Sequence, residues 1–329
     1  MDVPIRAFIR SLQLDMISGL LTLSAALVLA ASAAGAPGGA SRGEVPFEAE
    51  YLHSLSTNFG KLPLSGVGLS YDPIHREVYS TGDGPIRVFN DSGMEVYTFR
   101  DAPELASTLG ISAMEDGDLV ALVRRPVGWA LLRCNFRGEV IAEIVPRNVP
   151  ETLAGLTPGV MRYANRKIYL CDGNLMRILV LDDTGDYLTS YDVAEKLEAA
   201  DKRGDLGMRG FGVDREGNLL FTVQPLFRAY VMTPAGELRA FGVRGGAPGK
   251  FNVVGGIARD GAGNYYVADL LKSAILVFDP EFRFVKEFGY RGATPGSLAV
   301  PEEIVVGGDK LFVSNRGRKG VSVFHIGSR

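Results

Sequence analysis

Few groups in this 329-residue chain can do chemistry, and their spacing limits what that chemistry is. Its three histidines, His53, His75 and His325, are far apart, and no two are spaced i, i+4. A zinc site needs three or four converging His, Cys or carboxylate ligands, so the histidines alone do not make one. Four oxygen donors are better placed, because Asp83, Asp172, Asp269 and Asn315 recur near the ends of short apolar runs. If they converge, they form a hard-oxygen site of the kind that holds calcium. If they do not, each bonds the backbone of its own turn, as Asp and Asn commonly do. Cys134 and Cys171 carry no Cys-x-x-Cys-His motif, which argues against covalent c-type haem. Neither a Gly-x-Ser-x-Gly elbow nor a phosphate-binding loop occurs, and the glycines of 242–249 belong to a repeat.

That repeat is what must position these groups. From Gly210 the chain reads Gly-Phe-Gly-Val-Asp-Arg-Glu-Gly-Asn-Leu-Leu-Phe, and from Gly256 it reads Gly-Ile-Ala-Arg-Asp-Gly-Ala-Gly-Asn-Tyr-Tyr-Val-Ala-Asp. The segment from Arg239 to Phe251 likewise returns as the segment from Lys286 to Leu298. A fixed period of this length marks a solenoid or propeller whose units bury their apolar faces on one another. Each unit holds four short β-branched and aromatic runs. In the clearest copy they are centred on Ile257, Tyr266, Leu276 and Lys286. Turns such as Asp260-Gly-Ala-Gly-Asn separate the runs, with glycine supplying positive φ and Asp bonding the turn backbone.

Weaker copies begin at Val67, Gly110 and Gly159, and a last one begins at Glu303 and stops after Val321-Ser-Val-Phe, one strand short. The predicted fold class is therefore all-β, a propeller of about six four-stranded antiparallel blades. The alternating segment Phe47–Leu52 is the expected donor of the missing strand, pairing beside 321–324 to close the ring and remove two exposed edges.

The pattern Gly-Ile-Ala-x-Asp-x-x-Gly-Asn-x-Tyr-Val-Ala-Asp, followed by Ile-x-Val-Phe-Asp, Phe-Gly and Pro-Gly, resembles the NHL-repeat family of six-bladed β-propellers. The resemblance is clear over 210–324 and degenerate over 67–209. It implies a scaffold more firmly than an activity. Lactonase-type six-bladed propellers hold calcium on Asp and Asn oxygens. By that likeness Asp83, Asp172, Asp269 and Asn315 would line the approach to a central channel. Amidating lyases with an NHL-like propeller instead use channel histidines, a pattern from which this chain departs.

Composition fits one large β domain over 47–329, with 46% hydrophobic and 22% charged residues and a net charge of −3. Residues 1–36 stand apart. Arg6 and Arg10 precede an almost uncharged run from Met16 to Ala34, which reads as a signal peptide with an Ala31-Ser32-Ala33 cleavage site. The alternative is an uncleaved membrane anchor, for which the run is just long enough. Either way, with 37–46 as linker, the propeller is expected in the periplasm or outside the cell. Cys134 and Cys171 fall at non-equivalent places in neighbouring blades, which predicts buried, inert thiols rather than a disulfide.

In a propeller the second-to-third-strand loops and the inter-blade crossovers share one end, where function concentrates. Those loops carry seven cations, Arg124, Arg125, Arg228, Lys272, Arg316, Arg318 and Lys319, against Asp83, Asp172 and Asp269. Trp129, Phe227 and Leu271 sit among them, and aromatics with Arg are the stuff of interface hot spots. A capping box, Asp192-Val-Ala-Glu195, predicts a short helix in the crossover after the third blade. Glu198 would pair with Lys202 within it, and Gly204 would end it. Together these features predict an exported, non-catalytic scaffold that binds a protein or other acidic macromolecule and needs no cofactor. Net negative charge and export argue against nucleic acid. The alternative is a metal-dependent hydrolase or lyase using calcium at the Asp/Asn positions.

Overall fold

Period-two alternation between short Asp- and Gly-containing turns gives six four-stranded antiparallel sheets. A computed structural model describes residues 47–57, 60–61, 68–82, 84–100, 102–316 and 319–328, which lie within one compact unit, Val45–Arg329. The expected signal segment, Asp83 and Arg318 lie outside the described residues. Blades 1 to 5 each run in sequence order, with innermost strands Gly68–Asp72, Thr108–Ala113, Val160–Ala164, Phe211–Val213 and Val254–Arg259. The inner strand of blade 6 is Pro301–Gly307, and it packs against both Val254–Arg259 and Gly68–Asp72, so the six inner strands form a closed ring. The molecule is a six-bladed β-propeller, as the repeat predicts.

Small residues set how tightly the inner strands approach. A Cβ on Gly256 would lie 2.8 Å from both Glu302 O and Ile304 N of the next blade, so only glycine fits there. The hairpin turns form as expected. Asp260 Oδ1 accepts from the amides of Ala262 (2.9 Å) and Asn264 (2.8 Å), while Gly263 takes φ 94°. Asp214 does the same for Glu216 and Asn218. Buried side chains fall into six clusters, each shared by two neighbouring blades. A repeat that cannot bury its own face must do this. Cys134 and Cys171 are both buried and unpaired in different clusters. Burial pushes the Cys134 thiol up to about 11 and the Cys171 thiol further in the same direction. Neither is a thiolate near neutral pH.

The ring closes through the N-terminal strand. Phe47–Ser54 pairs antiparallel with Val321–Ser328, the third strand of blade 6. Both strands are eight residues long, longer than the alternation alone indicates, and the register slips between Tyr51 and His53. The slip turns Leu52 outward (41% exposed) and lets the chain continue into Leu55, which is fully buried between blades 6 and 1. Leu55 N–H donates to Val321 O at 2.9 Å, and Lys310 of blade 6 reaches Asp91 of blade 1 at 2.7 Å.

His53 of this clasp strand has a buried Nε2 with no partner among the described residues. Burial, and then the Lys310 ammonium, hold its imidazole below the ordinary value, against the opposing pull of Asp91. The folded clasp therefore prefers neutral His53, whereas the unfolded chain takes up its proton near pH 6.5. This contribution is complete above that pH and is lost as pH falls through the folded pKa. His75 runs the other way, since Asp72 raises it, but it is largely exposed and screened. The melting midpoint should fall between pH 7.5 and 5.5, and His53→Leu should flatten that slope. An unchanged slope in the variant would place the acid sensitivity elsewhere.

The crossover after blade 3 departs from the expected helix. Asp192 caps Val193–Lys196 by accepting from Glu195 N–H at 3.1 Å, but Glu198 takes φ 53° and breaks the helix. A 3-10 turn, Ala200–Lys202, and a helical turn, Arg203–Leu206, follow. Gly204 lies inside that second turn, and Gly207, at φ 61°, ends it. The cause is tertiary. Val193 and Ala194 are buried in the core between blades 3 and 4, and Arg203 folds back onto Asp192 at 2.7 Å. Among the described residues no helix is long and apolar enough to cross a membrane.

Candidate functional site

The end of the ring that gathers second-to-third-strand loops and crossovers opens into a vestibule of about 640 Å³. Thr81, Arg209, Gln224, Leu270 and Arg316 form its rim, and the inner strands form its wall. Its floor is an ion pair. Arg162, on the inner strand of blade 3, donates to Glu303, on the inner strand of blade 6, directly across the ring. A second depression of about 650 Å³ opens at the hairpin end, around Tyr71, Tyr163, Asp214 and Arg259. There Arg259 is held by Asp214 at 2.8 Å and Glu216 at 2.6 Å.

Three of the four Asp/Asn positions, Asp172, Asp269 and Asn315, hydrogen-bond the backbone around their own loops. Asp172 Oδ1 accepts from Asn174 and Leu175 N–H, while Oδ2 accepts from Thr157 N–H (2.8 Å) and Oγ1 (3.0 Å). Asp269 accepts from Leu271 and Lys272 N–H, and from Asn252 N–H at 2.6 Å. Asn315 Oδ1 accepts from Ala299 N–H, and its Nδ2 donates to Val313 O, Gly320 O and Ser322 Oγ. Each side chain ties its loop to the crossover entering its own blade. All three are buried, and their bonds are local rather than convergent. Among the described residues no group of three or more His, Cys, Asp or Glu is placed to hold a metal ion. His53 is on the clasp, His75 bonds Asp72, and His325 lies 3.2 Å from Asp309.

The cations of this end divide into two sets. Lys272 is buried against Glu287 (2.8 Å) and donates to Ala247 O. Arg316 pairs with Glu302 through two bonds, and Lys319 donates to Ser297 O at 2.7 Å. Lys272 and Lys319 thereby hold crossovers in place, and Arg316 ties its loop to the inner strand of blade 6. Arg124, Arg125 and Arg228 have no carboxylate partner among the described residues, and Arg124 and Arg228 are exposed. Trp129 packs between blades 2 and 3 and donates its Nε1–H to Leu156 O. Phe227, at φ 52°, lies under the Arg244 guanidinium at 4.9 Å from the ring centroid. Leu271 is 64% exposed.

Several residues here escape a reading of the sequence. Val127 (92% exposed) and Leu226 (38%) tip two other loops of the same end. Arg162 and Glu303 occupy inner-strand places where the clearest repeat has Ala258 and Gly256, and opposite charges three repeats apart were the available signal. Arg209 and Gln224 carried no such signal, since each is a single polar residue in a loop.

No family model matches the chain, and no curated protein matches its sequence. Solved structures do match in fold. A catalytically inactive virginiamycin B lyase from Staphylococcus aureus shares 16% identity at a TM-score of 0.53, with 81% of this chain and 83% of that one covered. A gluconolactonase from Xanthomonas campestris shares 12% at 0.53, covering 85% and 90%. An auxiliary nutrient binding protein from Bacteroides thetaiotaomicron shares 13% at 0.58, covering 85% and 77%. At these identities the likeness is one of fold. Enzymes and a binding protein stand side by side among these neighbours.

Proposed function

We propose that this chain is an exported, non-catalytic propeller of the NHL type that holds an acidic protein partner on its loop end. One observation carries the reading. Three loops of that end, from blades 2, 4 and 5, expose apolar tips at Val127, Leu226 and Leu271, and beside the first two lie Arg124, Arg125 and Arg228, which have no carboxylate partner among the described residues. Exposed apolar side chains framed by cations on a rigid scaffold match the anatomy of a protein interface. The local hydrogen bonding of Asp172, Asp269 and Asn315 supports the non-catalytic side of the reading, because their oxygens are spent on backbone amides.

Site-specific photo-crosslinking tests it. A photoreactive residue at Val127 or Leu271 should yield the same acidic partner, while one at Phe136, in a hairpin between the third and fourth strands of blade 2, should not. Equal adducts from all three positions would sink the proposal. Export is tested separately by the mass of protein from a secreting host, which should start near Ala34. An intact Met1 in the membrane fraction would make the N-terminal segment an anchor instead.

A further inference from the structure

The geometry points to a second, smaller site inside the same mouth: the vestibule binds a small organic carboxylate, held by Arg209 and Gln224. The inference concerns the loop end proposed above but does not require the macromolecular partner. Its starting point is the floor. Arg162 and Glu303 join across the ring and line a cavity of about 640 Å³, where their charges neutralise each other. That volume suits a drug-sized or smaller molecule.

Among the described residues, the charges on its walls leave one cation over. Arg162 is matched by Glu303 and Arg316 by Glu302, whereas Arg209 has no carboxylate partner among the described residues. The main chain at Arg209 is held by its backbone N–H, which donates to Thr222 O at 3.0 Å. The strand carrying Thr222 leads directly into Gln224, whose side-chain amide likewise has no partner among the described residues. Arg209 and Gln224 both line the cavity, and a guanidinium and an amide N–H₂ can donate to the same anion. Gly255, Gly256 and Leu270 line the neighbouring wall and offer apolar contact to the rest of the ligand. One unpaired guanidinium balances one negative charge, which favours a monocarboxylate over phosphate.

Fluorine NMR with matched probes tests this. para-Trifluoromethylbenzoate should bind the wild-type protein and its neutral benzamide should not. Arg209→Gln should weaken benzoate binding by about tenfold or more, and Gln224→Ala by a smaller factor. Inorganic phosphate should compete less well than acetate. Arg124→Glu with Arg228→Glu should leave benzoate binding unchanged, which separates this site from the partner face. The proposal fails if benzoate does not bind, if the amide binds as well as the acid, if Arg209→Gln has no effect, or if phosphate is the better competitor. The acid–amide comparison uses wild-type protein, so it stands even if a variant folds poorly.

Discussion

Removing Phe47–Leu52 is expected to unfold or oligomerise the whole propeller rather than trim one blade. The deletion takes the fourth strand from blade 6 and bares the edge of Val321–Ser328. It also takes Tyr51, which packs edge-on against Phe324, and unseats Leu55 from the core between blades 6 and 1. Leu55→Ala alone should cost about 2–5 kcal/mol, because the residue is fully buried and blades 1 and 6 are both held by strands that limit collapse. Against a total stability of about 5–15 kcal/mol, losing the entire strand leaves little. Thermal melting and light scattering provide the readout. A synthetic clasp peptide added in trans should restore the monomer in a concentration-dependent way. An unchanged melting midpoint in a monomeric deletion variant would show that ring closure lies elsewhere.

Asp269→Ala should be the most damaging change on the loop end. The carboxylate is fully buried and accepts from the Asn252, Val253, Leu271 and Lys272 amides, so alanine strands four donors. Breaking such a buried charged hydrogen-bond set costs about 3–5 kcal/mol. Asp269→Asn keeps one acceptor oxygen and should recover part of that loss. If the carboxylate is structural, neither calcium nor a chelator should shift the wild-type melting midpoint. A calcium-dependent rise that disappears in Asp269→Ala would restore the metal reading.

The fold was largely legible because its signals repeat. Asp214 and Asp260, with glycine three residues on, mark hairpins that the structure forms with the expected bonds. Counting strands left blade 6 one short, and Phe47–Leu52 supplied it. The helix at 192–204 was misjudged because capping and pairing signals are local. Burial of Val193 and the Arg203–Asp192 pair override them through contacts distant in sequence. The site was less legible for the same reason. A count of loop cations treats Lys272, Arg316 and Lys319 alike with Arg124 and Arg228. Yet the first three are committed to Glu287, Glu302 and Ser297, which lie in other parts of the chain. Sequence shows which charges an end carries. Which of them are already spent depends on partners that only the folded chain brings together.

Electrostatic capture of a partner on the loop end is read from the association rate of the crosslinked partner with three forms of the protein. These are wild type, Arg124→Glu with Arg228→Glu, and Arg137→Glu. Arg137 is an exposed cation in a hairpin at the opposite end, stacked on Phe136. The loop-end double variant should slow association about tenfold or more and lose its salt dependence. Wild type and Arg137→Glu should associate alike, and all three melting midpoints should agree, since surface changes shift stability by no more than about 0.5 kcal/mol. Equal association rates for all three forms would contradict electrostatic capture.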